Sequence, residues 1–123
     1  MPVSVEKTSG HAAQITWEPA DDPRGYLTKA IESQQLAFAL ESLGASEAGH
    51  TEPTMSESYA LNMAEATTQL AQLLERRAAV QVVQLRDHYS LSWRRIALHI
   101  FNDADKQSSV RRMYDSGRRH IGV

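Results

Sequence analysis

The sequence lacks cysteine, which excludes disulfide bonds and zinc sites built from thiolates. It also lacks long apolar runs. The longest stretch of small and apolar residues, Leu36–Leu40, is far shorter than the roughly 20 residues of a membrane-spanning helix. The first seven residues do not show the basic segment and apolar run of a secretory signal peptide. These absences predict a protein of the reducing cytoplasm that has no membrane contact.

Glycine and proline are scarce after residue 53, where only Gly117 and Gly122 remain. Because these two residue types interrupt helices most often, the later part of the chain is expected to be helical. Residues 1–25 hold five of the ten glycines and prolines, and only Gln14–Glu18 alternates like a short strand. We predict an all-α fold that is preceded by a loop-rich N-terminal arm over residues 1–25.

The charge is divided unequally along the chain. Residues 1–75 contain 3 basic and 11 acidic residues, whereas residues 76–123 contain 10 basic and 4 acidic residues. A basic segment can approach a polyanion, and an acidic segment is repelled by one. The division therefore predicts that nucleic acid binds to the C-terminal part, although two solvated charged faces would give the same count.

Two helices are expected between the arm and the basic segment. Residues 26–43 carry an apolar stripe at helical spacing, Gly44 stands at a C-cap position, and residues 44–53 have the composition of a linker. Thr54 and Glu57 then form a capping-box pattern that opens a helix extending to Tyr89.

The long helix carries a heptad seam, in which apolar residues recur in steps of three and four. Its members, with Ala66 and Arg77 at the intervening steps, are Tyr59, Met63, Leu70, Leu73 and Val80. The seam could bury against the preceding helix of the same chain or against a second copy. The first helix alone offers a modest surface, so a homodimer is favoured, with residues 26–77 as an acidic dimerisation region.

Residues 78–123 carry the sequence features that bear on function. Ser90–Phe101 reads Ser-Leu-Ser-Trp-Arg-Arg-Ile-Ala-Leu-His-Ile-Phe, and Gln107–Arg112 reads Gln-Ser-Ser-Val-Arg-Arg. These segments resemble the second helix and the recognition helix of helix-turn-helix DNA-binding modules in small bacterial or phage regulators, sigma factors and recombinases. Here Ser90 and Phe101 replace two glycines that are usual in that family, and the turn is about three residues longer. The resemblance implies a tri-helical DNA-binding domain and a transcriptional regulator associated with the nucleoid.

Elementary chemistry supports the same assignment. Ser92 can cap the second helix, and Asp103 or Asp105 can cap the third. Ile96, Ala97 and Ile100 should form the inner face of the second helix, as Val110, Met113 and Tyr114 should for the third. Gly117 either ends the third helix near Ser116, which we favour, or lies within a helix that continues to Ile121.

The candidate DNA contacts fall into two groups. Side chains on the outer face of the third helix can reach base edges, where arginine pairs with guanine; they are Gln107, Ser108, Arg111 and Arg112. Groups near helix starts and in the basic tail are suited to phosphates; they are Ser92, Arg94, Arg95, Lys106, Arg118 and Arg119.

The sequence contains no pattern typical of an enzyme or of a cofactor site. The spacing of Glu47 and His50 is that of a metal-ligand pair, but both lie in the linker without a second histidine nearby, so no metal is expected. Trp93 is more easily explained by packing than by base stacking. The alternative function is a protein-interaction module, such as a partner of RNA polymerase, of a sigma factor or of another regulator, or an antitoxin, that uses the acidic helices.

Overall fold

The computed structural model describes residues 3–44 and 56–122, and the chain divides into two compact units, residues 1–67 and 68–123. The described part is mostly helical and also contains a two-stranded antiparallel sheet. The prediction of a mainly helical fold is confirmed, and the prediction of a purely helical one is wrong. In chain order the elements are β1 (Ser4–Ser9), β2 (Ala12–Thr16), α1 (Tyr26–Glu32), α2 (Gln35–Gly44), α3 (Glu57–Asp87), α4 (Trp93–Phe101) and α5 (Gln107–Ile121).

The predicted loop-rich arm contains a β-hairpin. Val5 pairs with Ile15 and Lys7 with Ala13, and the register shifts between Lys7 and Ser9. The β-branched residues Val5 and Ile15 favour extended strands. The sequence pattern predicted a strand only around Ile15. Every residue of the two strands is exposed except Ile15, which is half-buried. The hairpin therefore adds almost nothing to the core of the first unit.

The single helix predicted for residues 26–43 is two helices. α1 ends at Glu32, and Gln34 adopts a left-handed conformation with φ 66° before α2 begins. The polar residues around Gln34 interrupt the apolar stripe, so burial does not require the helix to continue at this point. The apolar stripe therefore predicts helix correctly on each side of Gln34 but does not predict the break.

The carboxylate of Asp22 holds the start of α1. It accepts hydrogen bonds from the backbone N–H of Thr28 at 2.9 Å, from the N–H of Leu27 at 3.1 Å and from the Thr28 hydroxyl at 3.1 Å. These bonds satisfy N–H groups that have no partner within the helix, as an N-terminal cap does. The backbone hydrogen bond from Thr28 is the main reason that the pKa of Asp22 is lower than the usual 3.8.

This cap predicts a specific response to acid. Because the pKa of Asp22 is lowered by folding, its contribution to stability is complete above pH 3.8 and is lost as the pH falls through the lower, folded value. The amide proton shift of Thr28, followed by NMR, should titrate with a midpoint below 3.8. Asp22→Asn should abolish that titration. A midpoint at or above 3.8 would show that the cap does not form in solution.

α3 starts and ends close to its expected bounds. Thr54, the predicted cap, lies outside the described residues, and the Ser56 hydroxyl accepts from the N–H of Tyr59 at 3.1 Å. In the first unit the ring of Tyr59 packs edge-on against Phe38 at 5.4 Å, and its hydroxyl donates to Glu41 at 2.7 Å. That hydrogen bond raises the pKa of Tyr59.

The core of the second unit joins the end of α3 to α4 and α5. Val82, Ile96, Ala97 and Val110 are each at most 1% exposed and form one apolar cluster. Ser92 caps α4, as predicted, by accepting from the N–H of Arg95 at 3.1 Å. The predicted inner face of α4 is therefore confirmed at Ile96 and Ala97 but is wrong at Ile100, which lies in the last turn of α4 and is 41% exposed.

The turn between α4 and α5 uses a left-handed residue. Asn102 ends α4 with φ 54°, and Asp103 accepts the N–H of Asp105 at 2.9 Å within the turn. Neither aspartate caps α5, whose first residue is preceded by Lys106 without a side-chain cap. The predicted cap is therefore wrong, because the Asp103 carboxylate stabilises the turn instead. Ser90, on the other side of α4, is also left-handed, with φ 58°.

Gly117 lies inside α5 and does not end it. The helix continues to Ile121 and is capped by Gly122, which has φ 86°. Gly117 is buried against α3: a Cβ added to it would lie 2.7 Å from the carbonyl carbon of Ala79 and 2.8 Å from Val83 Cγ2. The favoured prediction of a cap near Ser116 is therefore wrong. The absence of a side chain permits close helix contact here, and Arg118, Arg119 and His120 are helical rather than a tail.

Candidate nucleic-acid interface

Burial divides α5 into an inner and an outer face. Val110 and Gly117 are buried, and Met113 and Tyr114 beside them are half-buried. The outer face lies about 180° around the helix at 100° per residue. Its exposed side chains are those of Ser108, Arg112, Asp115 and Arg119. Three polar or basic side chains and one carboxylate therefore form a continuous stripe along the solvent side of α5.

The four predicted base-contacting residues differ in their surroundings. Arg112 is exposed, and its Nη2 donates to the hydroxyl of Ser109 at 3.2 Å, one turn earlier. Ser108 and Arg111 are also exposed, whereas Gln107 is half-buried and its Nε2 donates to the carbonyl of Ala104 at 3.3 Å. The structure therefore places Ser108 and Arg112 together on the outer face, and Gln107 at the start of the helix.

The predicted phosphate-contacting residues lie at several places on the same unit. Arg94 and Arg95 are exposed in the first turn of α4, and Lys106 immediately precedes α5. Ser92 is exposed and its oxygen already accepts the Arg95 amide, but its hydroxyl proton remains a possible donor. Arg118 and Arg119 lie in the last turns of α5.

Several of these cations are uncompensated. Among the side chains of residues 3–44 and 56–122, none forms a hydrogen bond or ion pair with the side chains of Arg94, Arg95, Lys106 and Arg119. Exposed basic groups without internal partners attract anions, and the attraction weakens with salt. The second unit thus presents positive charge on α4 and on α5.

Trp93 lies at the centre of a group that the sequence did not predict. The guanidinium carbon of Arg86 lies 4.2 Å from the centroid of the indole ring, and that of Arg111 lies 5.5 Å from it. Tyr114 packs edge-on against the same ring at 5.2 Å, which confirms a packing role for Trp93. Arg118 lies 5.7 Å from the Tyr114 ring. We call Arg86, Trp93, Arg111, Tyr114, Arg118 and Asp87 the arginine–aromatic cluster.

One carboxylate takes part in this cluster. The hydroxyl of Tyr114 donates to Asp87 Oδ1 at 2.7 Å and lies 3.4 Å from Arg118 Nη1, which donates to it. The bond to Asp87 is the main cause of a raised pKa of Tyr114. Arg86 also donates to the carbonyl of Leu91 at 3.0 Å, which ties α3 to the loop before α4.

The sequence pattern does not predict Arg86 and Asp87 as members of a site. Both lie in the last turn of a long helix, where charged residues are ordinary, and neither belongs to a motif. The only available signal was that Arg86 and Asp87 precede Trp93 by about two helical turns across a short loop, which does not specify contact.

The residues of the heptad seam lie away from this core. Met63, Leu70, Leu73 and Val80 are half-buried, and Tyr59 is 38% exposed. At 100° per residue the centre of the seam is roughly 150° around α3 from the buried residues Ala79, Val82 and Val83. The core of the second unit therefore does not use the seam face of α3.

The structure also bears on the expectations for metals and membranes. Glu47 and His50 lie outside the described residues. Within the described ranges no group of three or more potential metal ligands occurs, and none of the helices there has the length and apolarity needed to cross a membrane. Comparison of the chain with protein-family models, with curated proteins and with solved structures found no match.

Proposed function

We propose that this chain is a sequence-specific binder of double-stranded DNA and acts as a dimeric transcriptional regulator in the cytoplasm. In this proposal the end of α3, α4 and α5 form a tri-helical helix-turn-helix, and α5 enters the major groove. The observation that carries the proposal is the division of α5 into a buried face with Val110 and Gly117 and an exposed face with Ser108 and Arg112.

The chemistry of the outer face suits a groove. Ser108 is short enough to let the helix approach the bases, and Arg112 one turn later can donate two hydrogen bonds to O6 and N7 of guanine. The hydrogen bond from Arg112 to Ser109 holds the guanidinium near the helix without burying it. Its remaining donors are available to a base.

The positive charge at the start of α4 indicates where the DNA phosphates would lie. Arg94 and Arg95 occupy the first turn of α4, where the free backbone N–H groups and the side chains both favour an anion. Contacts of this kind fix the position of the protein on the duplex and carry no sequence information. Base preference should therefore depend on α5, and general affinity on α4.

The test compares Arg112→Ala with Arg95→Ala on duplexes selected by the wild-type chain from a random pool. Arg112→Ala should lose about 1–3 kcal/mol on the selected site and relax the preference at one base position. Arg95→Ala should weaken binding to all duplexes about equally and should reduce the slope of log affinity against log salt by about one.

Each variant serves as the control for the other, because both remove one exposed arginine from the same unit. If Arg111→Ala, and not Arg112→Ala, alters the preference, then the outer face is displaced by one residue. If none of the three affects binding to DNA, α5 does not enter the groove.

One observation favours the alternative of a protein-interaction module. Leu98 and Phe101 on α4 are 49% and 39% exposed and lie about 60° apart around the helix, so they form an apolar surface near its end. Association through such a surface would persist in high salt, whereas DNA binding through several phosphates would decline steeply. Affinity measured over a range of salt concentrations separates the two functions.

A further inference from the structure

We propose that the arginine–aromatic cluster is a phosphate-binding site, in which Arg111 and Arg118, assisted by Arg86, grip the DNA backbone beside the groove. The inference rests on the proposed function. It assigns Arg111 to a phosphate, although its position in the sequence suggested a base contact.

The arginines of α5 project from the helix in two directions. At 100° per residue from Val110, Arg111 and Arg118 lie about 100° and 80° around the helix, whereas Arg112 lies at about 200°. Two rows of arginine therefore follow α5, one on its outer face and one on the flank next to Trp93 and Tyr114. A residue on the flank of a helix in the major groove faces the wall of the groove, where the phosphates lie.

Aromatic rings hold the two arginines on the flank of α5. Arg111 lies over Trp93 and Arg118 over Tyr114, and both arginines are exposed. A guanidinium on a ring keeps N–H groups along its edge available, of which Arg118 gives one to the Tyr114 hydroxyl. Its conformational freedom is already reduced before a ligand binds. An ordered planar cation is well suited to two parallel hydrogen bonds with phosphate oxygens.

The arginine–aromatic cluster has an excess of positive charge. Arg86, Arg111 and Arg118 contribute three positive charges, and Asp87 contributes the one carboxylate of the cluster. Asp115, about one turn from both Arg111 and Arg118 on α5, is a second carboxylate nearby, so one positive charge remains in excess. The Asp87 oxygen nearest the cluster accepts the hydroxyl of Tyr114 and not a guanidinium. The local excess of positive charge is therefore not neutralised within the cluster. An anion with several oxygens, such as a phosphodiester, would complete it.

The experiment uses the fluorescence of Trp93 as the reporter. The chain has two tryptophans, so the full-length Trp17→Phe protein leaves Trp93 as the single fluorophore. Its emission is followed during titration with a random-sequence duplex and, separately, with inorganic tripolyphosphate. Both ligands should change the emission to saturation, because both place a phosphate against the Arg111 guanidinium that lies over the indole ring.

Arg111→Gln and Arg118→Gln are the test variants, and Arg76→Gln is the matched control. Arg76 is an exposed arginine on α3 outside the cluster, so its replacement changes the net charge equally. Each test variant should reduce the salt slope of duplex binding by about one, which makes the loss of affinity over a fourfold rise in salt about four times smaller. The base preference should stay as in the wild type, and Arg111→Gln should remove the response to tripolyphosphate. Both exposed arginines can be replaced without breaking the bond between Arg86 and Leu91 that supports the loop.

The outcomes distinguish this proposal from the proposed function. If no duplex binds but tripolyphosphate still changes the emission in an Arg111-dependent way, the DNA function fails and the anion site stands. If duplexes bind and Arg111→Gln alters base preference, Arg111 contacts a base and the present proposal is overturned. It is also overturned if the two test variants behave like Arg76→Gln, since the cluster then serves only to pack the helices.

Discussion

Gly117→Ala is expected to destabilise the second unit by about 2 kcal/mol or more, although alanine is the better helix former. Helix propensity alone would favour alanine by up to about 1 kcal/mol. The new Cβ, however, would lie 2.7 Å from the carbonyl carbon of Ala79 and would also crowd the oxygen of that group. Backbone atoms cannot rotate away as a flexible side chain can, so α5 must move from α3, and overpacking of this kind typically costs about 1–3 kcal/mol or more.

Urea unfolding of the Trp17→Phe protein, monitored by the emission of Trp93, measures this effect in the unit concerned. Gly44→Ala is the matched control, because Gly44 is also helical and nothing lies within 4 Å of its added Cβ. That substitution should be neutral or slightly stabilising. If Gly117→Ala is as stable as the wild type, then α5 does not lie this close to α3, and the outer face of α5 has to be assigned again.

Replacing both Leu70 and Leu73 by aspartate should convert the proposed dimer to a monomer and strongly weaken binding to an operator with two half-sites. In a two-fold pairing of α3 each copy would bury two carboxylates without partners, and burial of an unpaired charge is costly. A monomer would also lose the second half-site. The seam lies far around α3 from Ala79, Val82 and Val83, so the substitutions spare the core of the second unit.

Sedimentation at several protein concentrations, with circular dichroism to verify folding, tests this expectation. Leu61→Asp is the control, because Leu61 is 63% exposed and lies on the opposite side of α3 from the seam. It should leave both association and DNA affinity unchanged. A wild-type chain that sediments as a monomer at high concentration would contradict the dimer and would favour pairing of the seam within one chain.

Local signals accounted for much of the second unit. The Ser92 cap and the burial of Ile96, Ala97 and Val110 follow from side-chain chemistry and helical spacing within a few residues. The break at Gln34 did not follow, because apolar residues at helical spacing lie on both sides of it and the polar residues between them do not specify a left-handed backbone. The hairpin was missed since its strands are almost fully exposed and leave a weak pattern of burial.

Features that depend on distant residues were not predictable in the same way. A glycine near a helix end is usually a cap, and the packing reason for Gly117 lies at Ala79, which is far away in the sequence. The candidate site shows the same limit. The exposure of Ser108 and Arg112 followed from helical spacing relative to Val110, whereas the contact of Arg86 and Arg111 with one indole ring required the tertiary fold.

The left-handed residues that flank α4 have an evolutionary consequence. Ser90 and Asn102 have positive φ angles, which glycine, asparagine and aspartate adopt more readily than β-branched residues do. A chain that keeps this geometry has few choices at positions 90 and 102, and close packing restricts position 117 to glycine. Under the proposed function, arginines on the outer face of α5 can meanwhile change as DNA targets diverge. Descent among such proteins should therefore be traced through these three backbone-determined positions rather than through the proposed DNA-contacting residues.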